Sequence, residues 1–542
     1  MAHIKHDPLC HYSVSRVSIQ LSRFLQDRNN IRKKYWQCRF KSCYYRERYN
    51  KPVSSPEQKV TTMNILLLRP NPGSEQFGLG PFFRVEPLGL EYVAAALLPQ
   101  GHSVTIADLR FRPGAATWVR RTRPRIVGIS CLHALEYDRV VETAREVQRA
   151  APDAFILVGG HAAMAFNGPL EDDSIDAISM DDGEEVVSAL VEALDKGRPL
   201  SEAPALRLKT PEGWISTPPL PARTSLDLVP LPARDLVTRH RSGYHCLLFK
   251  PVWLIETARG CPFRCSFCSV WQLYDRTYRE RSIAAVVVDF ATSGDAIFVA
   301  DDLFWNNPPR SLELAEALKK QGVFKRWILV QSRTDLISRQ EKLLEAWRPL
   351  AKDFDIFLGF EFASDKGLSG ITKDSGVKES LEAARVARSH RYGINGNFLI
   401  DPDWDEDDFH ELWDFVARHG LQRSGFTLLT PLPGTDFFRD IGHRTKDHPW
   451  SDFDMHHLLW EPRLGAERFC ELYAETWRRS ILNTSGDKKL ADWLRQVRPL
   501  QIPYMIKVLR RTQAMMRPET YLRDYRANLS TTGNPPCRGG AT

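Results

Sequence analysis

The segment Glu256–Tyr274, ETARGCPFRCSFCSVWQLY, places Cys261, Cys265 and Cys268 in one turn-rich loop. A structural zinc site needs four protein ligands, and no second C-x-x-C pair lies nearby to complete one. Three thiolates spaced C-x3-C-x2-C can instead bind three irons of a [4Fe–4S] cluster, because cysteine is the usual cluster ligand. The fourth iron is then left open. The loop therefore predicts a reactive cluster, with these cysteines as its metal ligands and catalytic residues.

This spacing, with the aromatic Phe267 directly before the last cysteine, resembles the cluster loop of the radical S-adenosylmethionine (SAM) superfamily. The resemblance implies that the amino and carboxylate groups of SAM chelate the open iron and that an electron from the cluster cleaves SAM. It also makes Phe267 a candidate cofactor contact. The other interpretation is three thiols that are close only by chance.

Composition indicates a globular protein of several domains. Of its 542 residues, 43% are hydrophobic and 26% are charged, which is enough for two or three cores. The remaining seven of the ten cysteines are scattered, so we expect no disulfide framework and a reduced, cytoplasmic protein. No apolar run approaches the ~20 residues of a membrane-spanning helix, and no apolar signal core begins the chain.

Much of the net charge of +7 precedes Met63, in residues 28–51, RNNIRKKYWQCRFKSCYYRERYNK. Basic side chains interleaved with aromatic ones can bind anionic lipid or nucleic acid. We instead expect residues 1–62 to be a disordered extension, or to follow from a start codon assigned too early. No nucleic-acid partner is assigned.

Residues 63–200 alternate short apolar runs with amphipathic segments, which predicts a doubly wound, Rossmann-like α/β domain. The predicted strands are NILLLRP, HSVTIADL, RIVGISC, AFILVGG and DAISM, and the predicted helices are EPLGLEYVAAALL, YDRVVETAREVQRA and GEEVVSALVEAL. Such sheets bind ligands beyond the carboxyl ends of their strands. The candidate contacts there are Pro70, Asn71, Ser130, Gly159, Gly160, His161, Asp182, Gly183 and Glu184. The glycine pair is equally explained by a tight turn without a ligand.

An α/β domain directly before this cysteine loop resembles the cobalamin-binding domain of the cobalamin-dependent radical SAM enzymes. The GGHA and DDGEE turns match that pattern. The resemblance implies that residues 63–200 bind cobalamin. The D-x-H-x-x-G motif, whose histidine ligates cobalt in some corrinoid proteins, is absent, so neither His133 nor His161 is assigned as an axial ligand.

A proline-rich segment, residues 201–247, is predicted to form a small hairpin and an extended linker. Residues 248–445 then predict a partial (β/α)6 barrel, with the strands VWLIETARG, AIFVADDLF, WILVQSRTDL, IFLGFEFASD, INGNFLIDPDW and SGFTLLTPLPGT. Polar residues at the strand ends are candidate SAM contacts: Asp301, Asp302, Gln331, Arg333, Glu361, Asn397 and Asp401. Each is as readily a residue that holds a loop. DPDWDEDD replaces the glycine-rich sequence usual in the family.

Residues 446–542 predict helices rich in Trp, Tyr, Leu and Met, most of which we expect in the core. The remaining apolar residues are candidates for closing an apolar substrate pocket. Lys507, Arg510 and Arg511 are candidates for contact with a membrane surface, which would place the protein at the periphery of the inner membrane.

The segments RVEPLGLEYVAAALLPQGH, IETARGCPFRCSFCSVWQLY, NFLIDPDW and PLPGTDFF resemble, within this family, the hopanoid C-3 methylases. The resemblance implies a pentacyclic triterpenoid substrate that is methylated at an unactivated carbon. It also implies methylcobalamin and SAM as cofactors, and an electron donor such as flavodoxin or ferredoxin. Two alternatives remain: a related methylase or cyclase acting on another natural product or a tetrapyrrole, and a redox sensor without turnover.

Overall fold

Two large β-sheets organise the part of the chain that the structure describes. The computed structural model describes residues 62–72, 82–246, 249–445, 448–480, 502–523 and 525. The expected basic extension up to residue 61 and the predicted helical segment LADWLRQVRPL lie outside these residues. All described residues belong to one unit that begins at Val60.

The first sheet contains seven strands. They are β1 (Asn64–Arg69), β2 (Ser103–Asp108), β3 (Ile126–Ser130), β4 (Phe155–Gly159), β5 (Ala177–Ser179), β6 (Leu206–Thr210) and β7 (Gly213–Ser216). The spatial order is β2-β1-β3-β4-β5-β6-β7, and β1 to β5 are parallel. The chain passes from β1 to β2 on one side of β1 and then crosses back to β3 on the other side, so the topological switch point of the sheet lies between β1 and β3.

Helices cover both faces of this sheet. They are α1 (Leu88–Leu97), α2 (Ala115–Thr122), α3 (Tyr137–Ala150), α4 (His161–Ala165) and α5 (Gly183–Lys196). The side chains of β1 alternate between the faces: Ile65 and Leu67 pack with α1 and α5, whereas Leu66 and Leu68 pack with α2 and α3. The predicted doubly wound fold is confirmed. Helix α2 was not predicted, because its apolar face is only Ala115, Trp118 and Val119.

The predicted linker hairpin is present, but it is part of the first sheet. Strand β6 pairs antiparallel with β5, and β7 pairs antiparallel with β6. Leu206 and Leu208 are buried in the core shared with α5. The sheet therefore continues past residue 200, and the proline-rich segment that follows β7 is the connection between the two sheets.

The second sheet has six parallel strands in sequential order. They are β8 (Trp253–Ile255), β9 (Ala296–Val299), β10 (Lys325–Arg333), β11 (Ala351–Glu361), β12 (Gly393–Ile400) and β13 (Ser424–Leu428). The helices that follow these strands are α6 (Val270–Leu273), α7 (Ile283–Thr292), α8 (Pro308–Lys320), α9 (Thr334–Ile337), α10 (Glu341–Trp347), α11 (Asp365–Gly370), α12 (Val377–Ser389), α13 (Glu406–Arg418) and, after β13, α14 (Asp436–Ile441). Six parallel strands alternating with helices confirm the predicted (β/α)6 architecture.

The carboxyl-terminal region adds α15 (Ala466–Arg478) and α16 (Ile502–Met515). Helix α15 packs on the last barrel strand, where the Tyr473 hydroxyl donates to the Phe426 carbonyl at 2.9 Å. Phe453 and Trp460, between β13 and α15, are instead buried in the core that the first sheet forms with α2 and α3. The first sheet and its helices are called the first domain below, and the barrel is called the second domain. No helix among the described residues has both the length and the apolar character needed to cross a membrane.

We expect Leu67→Ala to lower the free energy of unfolding by about 2–5 kcal/mol, because Leu67 is 1% exposed in β1, between β2 and β3. Leu228→Ala is the control: Leu228 is 78% exposed, so its change should stay within about 0.5 kcal/mol. Urea denaturation of the cofactor-free protein, followed by circular dichroism, measures both. Equal stability of the two variants would contradict the burial of β1.

Candidate active site

The cysteine loop is closed at its base by a short antiparallel ribbon. Ala258 and Arg259 pair with Glu280 and Arg279, so the chain returns to its starting point after the loop. Gly260 has φ +96°, and a Cβ atom there would collide with the carbonyl oxygen of Thr277. Its N–H donates to Asp302 Oδ2 at 2.9 Å. Only glycine satisfies both the backbone angle and the close approach.

Hydrogen bonds along the loop fix the position of its three cysteines. Cys268 N donates to the Cys265 carbonyl at 3.1 Å, and the Trp271 indole donates to the same oxygen at 3.0 Å. Ser266 N donates to the Ile371 carbonyl, and Phe437 N donates to the Ser266 carbonyl, each at 3.0 Å. The loop is thus bound to the end of α11 and to the start of α14.

The thiols of the loop are free and partly buried. Burial raises the pKa of Cys261 to about 11 and that of Cys268 to about 12. Burial also raises the pKa of Cys265, against the opposing effect of Arg333. All three therefore need a bound cation to become thiolates near neutral pH.

No three His, Cys, Asp or Glu side chains within the described ranges are arranged to hold a single metal ion. The three cysteines nevertheless lie on one loop and share no disulfide. This donor set fits a group in which each thiolate binds a different metal atom, as in an iron–sulfur cluster. It does not fit a structural zinc site, which agrees with the spacing in the sequence.

Arg333, at the end of β10, contacts the loop directly. Its Nη1 lies 3.4 Å from Cys265 Sγ, and its guanidinium stacks 3.7 Å from the ring centroid of Phe263. Asp335 Oδ1 accepts from Arg333 Nε at 2.9 Å. The guanidinium is thereby held next to a thiol that would carry negative charge in a cluster.

Glu361, at the end of β11, has a strained backbone and an unpaired oxygen. Its φ is +61°, which is rare for residues other than glycine, and the strand register shifts between Gly359 and Glu361. Oε1 accepts from Lys373 Nζ at 3.0 Å. Oε2 is buried without a hydrogen-bond partner among the described residues. Such an oxygen is a fitting acceptor for a cationic or hydroxyl-bearing ligand.

Asp301, Asp302 and Gln331 are mainly engaged in holding the loop. Asp301 is fully buried, and its two oxygens accept from Thr257 N and Thr257 Oγ1, each at 2.6 Å. Burial raises the pKa of Asp301 to about 7. Gln331 Nε2 lies 3.5 Å from the Asp301 carbonyl. Asp301 thus has the strand-end role that the sequence left open.

Three other predicted residues of the barrel, Phe267, Asp401 and Asn397, make contacts away from the cysteine side chains. Phe267 packs against the apolar cluster that includes Leu399 and Leu429. Asp401 accepts from Asp403 N at 2.9 Å within its own loop. Asn397 lies in β12, opposite Gly425 of β13. Of the predicted barrel residues, Arg333 therefore contacts a cysteine of the loop and Asp302 binds the base of the loop, whereas Glu361 supplies a buried, unpaired oxygen.

The carboxyl edge of the first sheet holds the predicted cobalamin contacts. Pro70 and Asn71 follow β1 and Ser130 ends β3, so they flank the switch point. Arg69 and Glu136 form a buried ion pair beneath it. Glu136 Oε2 also accepts from Leu132 N at 2.9 Å, and Leu132 is 47% exposed.

The Gly159-Gly160 turn is explained by its own backbone. Gly160 has φ +117°, and a Cβ there would lie 2.5 Å from the Cys131 carbonyl oxygen. A Cβ on Gly159 would lie 3.2 Å from Ser179 Cβ. The tight-turn alternative therefore accounts for both glycines. His161, the first residue of α4, contacts the cysteine loop instead: its Nε2 lies 2.9 Å from the Tyr274 hydroxyl.

The acidic DDGEE turn contacts arginines of the second domain. Arg259 Nη1 lies 2.8 Å from Asp182 Oδ1, and its Nη2 lies 3.0 Å from Glu184 Oε1. Arg279 Nη1 lies 2.9 Å from Asp182 Oδ2. Gly183 lets α5 approach α1, since a Cβ there would lie 3.1 Å from Val93 Cγ2.

Sequence reasoning missed Arg259, Tyr274 and Arg279, which contact the first domain. Their only signal is position: Arg259 stands two residues before Cys261, and Arg279 stands on the returning strand of the ribbon. Their partners are 75 to 113 residues away along the chain. Local patterns do not report contacts over such separations.

Comparisons with known proteins agree with this arrangement. Residues 81–191 match the B12 binding domain, and residues 255–416 match the radical SAM superfamily. The chain is 30% identical over 398 residues to the hopanoid C-3 methylase of Methylococcus capsulatus, covering 72% of this chain and 75% of that protein. The chain belongs to the cobalamin-dependent radical SAM methyltransferases. The enzyme therefore uses cobalamin, a [4Fe–4S] cluster and SAM.

Two further proteins extend the comparison. The enzyme is 26% identical over 444 residues to the anaerobic magnesium-protoporphyrin IX monomethyl ester cyclase of Rubrivivax gelatinosus, covering 78% of each chain. It shares its fold with the radical SAM methyltransferase TsrM of Kitasatospora setae, solved with cobalamin and a [4Fe–4S] cluster bound. The TM-score is 0.58 and the identity 18%, over 71% of this chain and 75% of the other.

We expect the triple variant Cys261→Ala, Cys265→Ala, Cys268→Ala to lose the iron and the cluster absorbance acquired by anaerobic reconstitution, because no other free thiols lie on this loop. Cys246→Ala is the matched control: Cys246 is a buried thiol of a separate ribbon and should not affect iron content. Iron and sulfide analysis with absorbance spectra measures both. Unchanged iron in the triple variant would contradict the assignment.

Proposed function

We propose that the enzyme methylates an unactivated ring carbon of a pentacyclic triterpenoid, C-3 of a hopanoid. The observation that carries this proposal is the 30% identity to a hopanoid C-3 methylase, which spans about three quarters of both chains. The target carbon has no acidic proton and no lone pair, so radical chemistry suits it better than polar transfer.

The cofactors perform the bond-breaking steps. When bound, the cluster supplies the electron that cleaves one SAM so that a substrate hydrogen is abstracted, and cobalamin carries the methyl group taken from a second SAM. The net reaction consumes a substrate C–H bond, two SAM and two electrons. It yields the methylated product, S-adenosylhomocysteine, methionine and 5′-deoxyadenosine. We therefore propose an electron donor such as flavodoxin or ferredoxin.

Residues of the barrel edge would hold the cluster and SAM. Cys261, Cys265 and Cys268 would each bind one iron, and Arg333 would donate to the sulfur of Cys265, which it already contacts at 3.4 Å. Glu361 would accept from the amino group or the ribose hydroxyls of SAM through its unpaired Oε2. Lys373, 3.0 Å from Oε1, keeps that carboxyl oriented.

Cobalamin would lie at the switch point of the first sheet, beside Asn71, Ser130 and the exposed Leu132. Two observations support binding without a histidine on cobalt. His161 Nε2 is hydrogen-bonded to the Tyr274 hydroxyl. His133 lies at the start of a short 3-10 helix, where its Nδ1 accepts from Leu135 N at 3.5 Å.

An apolar surface beside both cofactor positions supports an apolar substrate. Phe166, which follows α4 and is 36% exposed, lies 5.7 Å from Phe438 and 6.0 Å from Trp450 between ring centroids. The PLPGT turn reaches this surface, since a Cβ on Gly434 would lie 2.7 Å from Ala165 Cβ. Burying a rigid polycycle here would contribute ~25 cal/mol per Å² of surface removed from water.

The cavity between α13 and α15 is not assigned to the substrate. It has a volume of about 220 Å³ and is lined by residues that include Trp413, Gln422 and Thr476. Gln422 precedes β13, so this cavity lies toward the amino end of the barrel. Active sites of β/α barrels lie at the carboxyl end.

We propose that the enzyme works in the cytoplasm and meets its substrate at the surface of the inner membrane. Helix α16 supports this placement: Ile506 and Leu509 are 45% and 54% exposed, and the neighbouring Lys507 and Arg510 are also exposed. Exposed apolar residues flanked by cations suit an anionic lipid surface. Arg511 is only partly exposed.

The second candidate function is cyclisation or methylation of a tetrapyrrole. The similarity to the magnesium-protoporphyrin IX monomethyl ester cyclase favours it, because that match covers a larger share of both chains at lower identity. A shared fold and shared cofactors do not determine the substrate. A product heavier by one methyl group distinguishes a methylase from a cyclase.

We expect a hopanoid-producing host that lacks ring-A methylation to make methylated hopanoid when it expresses the enzyme. Mass spectrometry of extracted lipids measures the product, and the triple cysteine variant in the same host is the control. Absence of methylated hopanoid, with cluster and cobalamin loading verified and an electron donor present, would contradict the hopanoid assignment and favour another substrate.

We expect Glu361→Gln to weaken SAM binding by about tenfold or more, because a hydrogen bond to a charged group contributes roughly 1.5–3 kcal/mol. Glu382→Gln is the control, since Glu382 forms an exposed ion pair with Arg385 on α12. Titration calorimetry of the anaerobically reconstituted variants measures the dissociation constants. Equal SAM affinity of E361Q and the unmodified enzyme would remove Glu361 from the SAM site.

A further inference from the structure

Arg259 lies at the centre of a buried group of charges between the two domains. Its Nη2 contacts Glu184 at 3.0 Å and Glu256 at 2.8 Å, its Nε contacts Glu256 at 3.0 Å, and its Nη1 contacts Asp182 at 2.8 Å. The side chain of Arg259 is 9% exposed, and those of Asp182 and Glu184 are 3% and 6% exposed. Asp182 and Glu184 belong to the first domain, and Glu256 belongs to the barrel.

Two other arginines share this group of charges. Arg279 contacts Asp182 Oδ2 at 2.9 Å. Arg223, on the connection between the sheets, contacts Asp181 and also Asp182 and Glu185 at 3.4 and 3.0 Å. Among the arginines of this group within the described residues, Arg259 is the one that binds carboxylates of the DDGEE turn and also Glu256, which directly follows β8.

The chain has little freedom between Arg259 and the first cysteine. Gly260 alone separates Arg259 from Cys261, and its N–H is bonded to Asp302. The far end of the loop is also bound to the first domain, through the 2.9 Å contact between Tyr274 and His161. Arg279 lies 5.2 Å from the Tyr274 ring centroid. A shift of the DDGEE turn relative to the barrel therefore moves Cys261.

We propose that Arg259 is a positioning residue that sets the separation between the cobalamin crevice and the cysteine loop and thereby couples SAM cleavage to methyl transfer. This inference rests on the proposed placement of the two cofactors, but not on the identity of the substrate. Arg259 acts through the backbone of the loop and the DDGEE turn. The carboxylates of the turn form ion pairs with these arginines and thereby hold the two domains together.

The physical basis is the shape of the guanidinium. Its fork binds three carboxylates in one plane from both domains, whereas a lysine ammonium offers a point charge without that geometry. Asp182 keeps Arg279 and Arg223 when Arg259 is replaced, so part of the charge compensation survives. Loss of Arg259 should therefore loosen the spacing of the two domains while leaving their separate folds in place.

The experiment uses the full-length enzyme, reconstituted with cluster and cobalamin, as Arg259→Met and Arg259→Lys. Arg207→Met is the matched control, because Arg207 pairs with Glu171 inside the first domain. Iron and cobalamin contents are measured first. Pulsed electron paramagnetic resonance then measures the dipolar coupling between the reduced cluster and cob(II)alamin, which reports their distance without any substrate.

We expect R259M and R259K to retain both cofactors but to show a broader or longer distance distribution, with R207M unchanged. During turnover with the substrate that the enzyme methylates, the ratio of methylated product to 5′-deoxyadenosine should fall about tenfold or more in R259M. Displacing reacting groups by about 1 Å lowers reaction rates by this much or more. The distance measurement needs no substrate, so it tests the role of Arg259 even if the enzyme does not methylate a hopanoid. The proposed substrate and the proposed role of Arg259 can therefore fail independently.

Two outcomes would overturn the inference. One is a cluster-to-cobalt distance distribution in both Arg259 variants that matches the unmodified enzyme. The other is loss of cobalamin from R259K with unchanged distances in the loaded molecules, which would show that the acidic turn binds cobalamin rather than positioning the domain.

Discussion

The close approach of Gly260 to the Thr277 carbonyl is the constraint on which the site depends. It closes the cysteine loop at its base, and no side chain fits between the two strands there. The same turn directs Arg259 toward the first domain and Cys261 toward the barrel edge. A larger residue at position 260 would have to open the Ala258–Arg259 ribbon, and it would displace the Asp302 hydrogen bond together with the first cysteine.

Buried charge is the second constraint, because ions removed from water require partners. Burial alone would raise the pKa of Asp182, but Arg259, Arg279 and Arg223 together hold it below its ordinary value. The same reasoning applies under the switch point: burial opposes ionisation of Glu136, yet Arg69 and the Leu132 N–H lower its pKa. Both carboxylates lie at the carboxyl edge of the first sheet, and Asp182 binds two arginines that flank the cysteine loop, so this edge has a defined position relative to the loop.

The elements best predicted from the sequence are those set by local patterns. Most strands of both sheets contain a run of apolar residues, and strands such as Asn64–Arg69 and Phe155–Gly159 lie where such runs predicted them. The spacing of Cys261, Cys265 and Cys268 also identified the loop, because this pattern involves only residues that are close in sequence. Helix α2 escaped notice because its eight residues carry a narrow apolar face. The role of Asp182 and Glu184 escaped notice because their partners, Arg259 and Arg279, are distant in sequence.

Because fold and cofactors are common to relatives with different products, substrate choice must depend on residues outside the elements that hold the cofactors. The segment between β13 and α15 is suited to that role. Leu428, the last residue of β13, donates its N–H to the Met455 carbonyl, so this segment crosses the carboxyl end of the barrel. Trp450 packs 5.1 Å from Tyr137 of α3, and Phe453 and Trp460 enter the core of the first domain. This segment thus contacts the carboxyl end of the barrel and the first domain through large aromatic residues. Its shape can differ between family members without altering the cysteine loop, the Gly260 turn or the charges around Arg259.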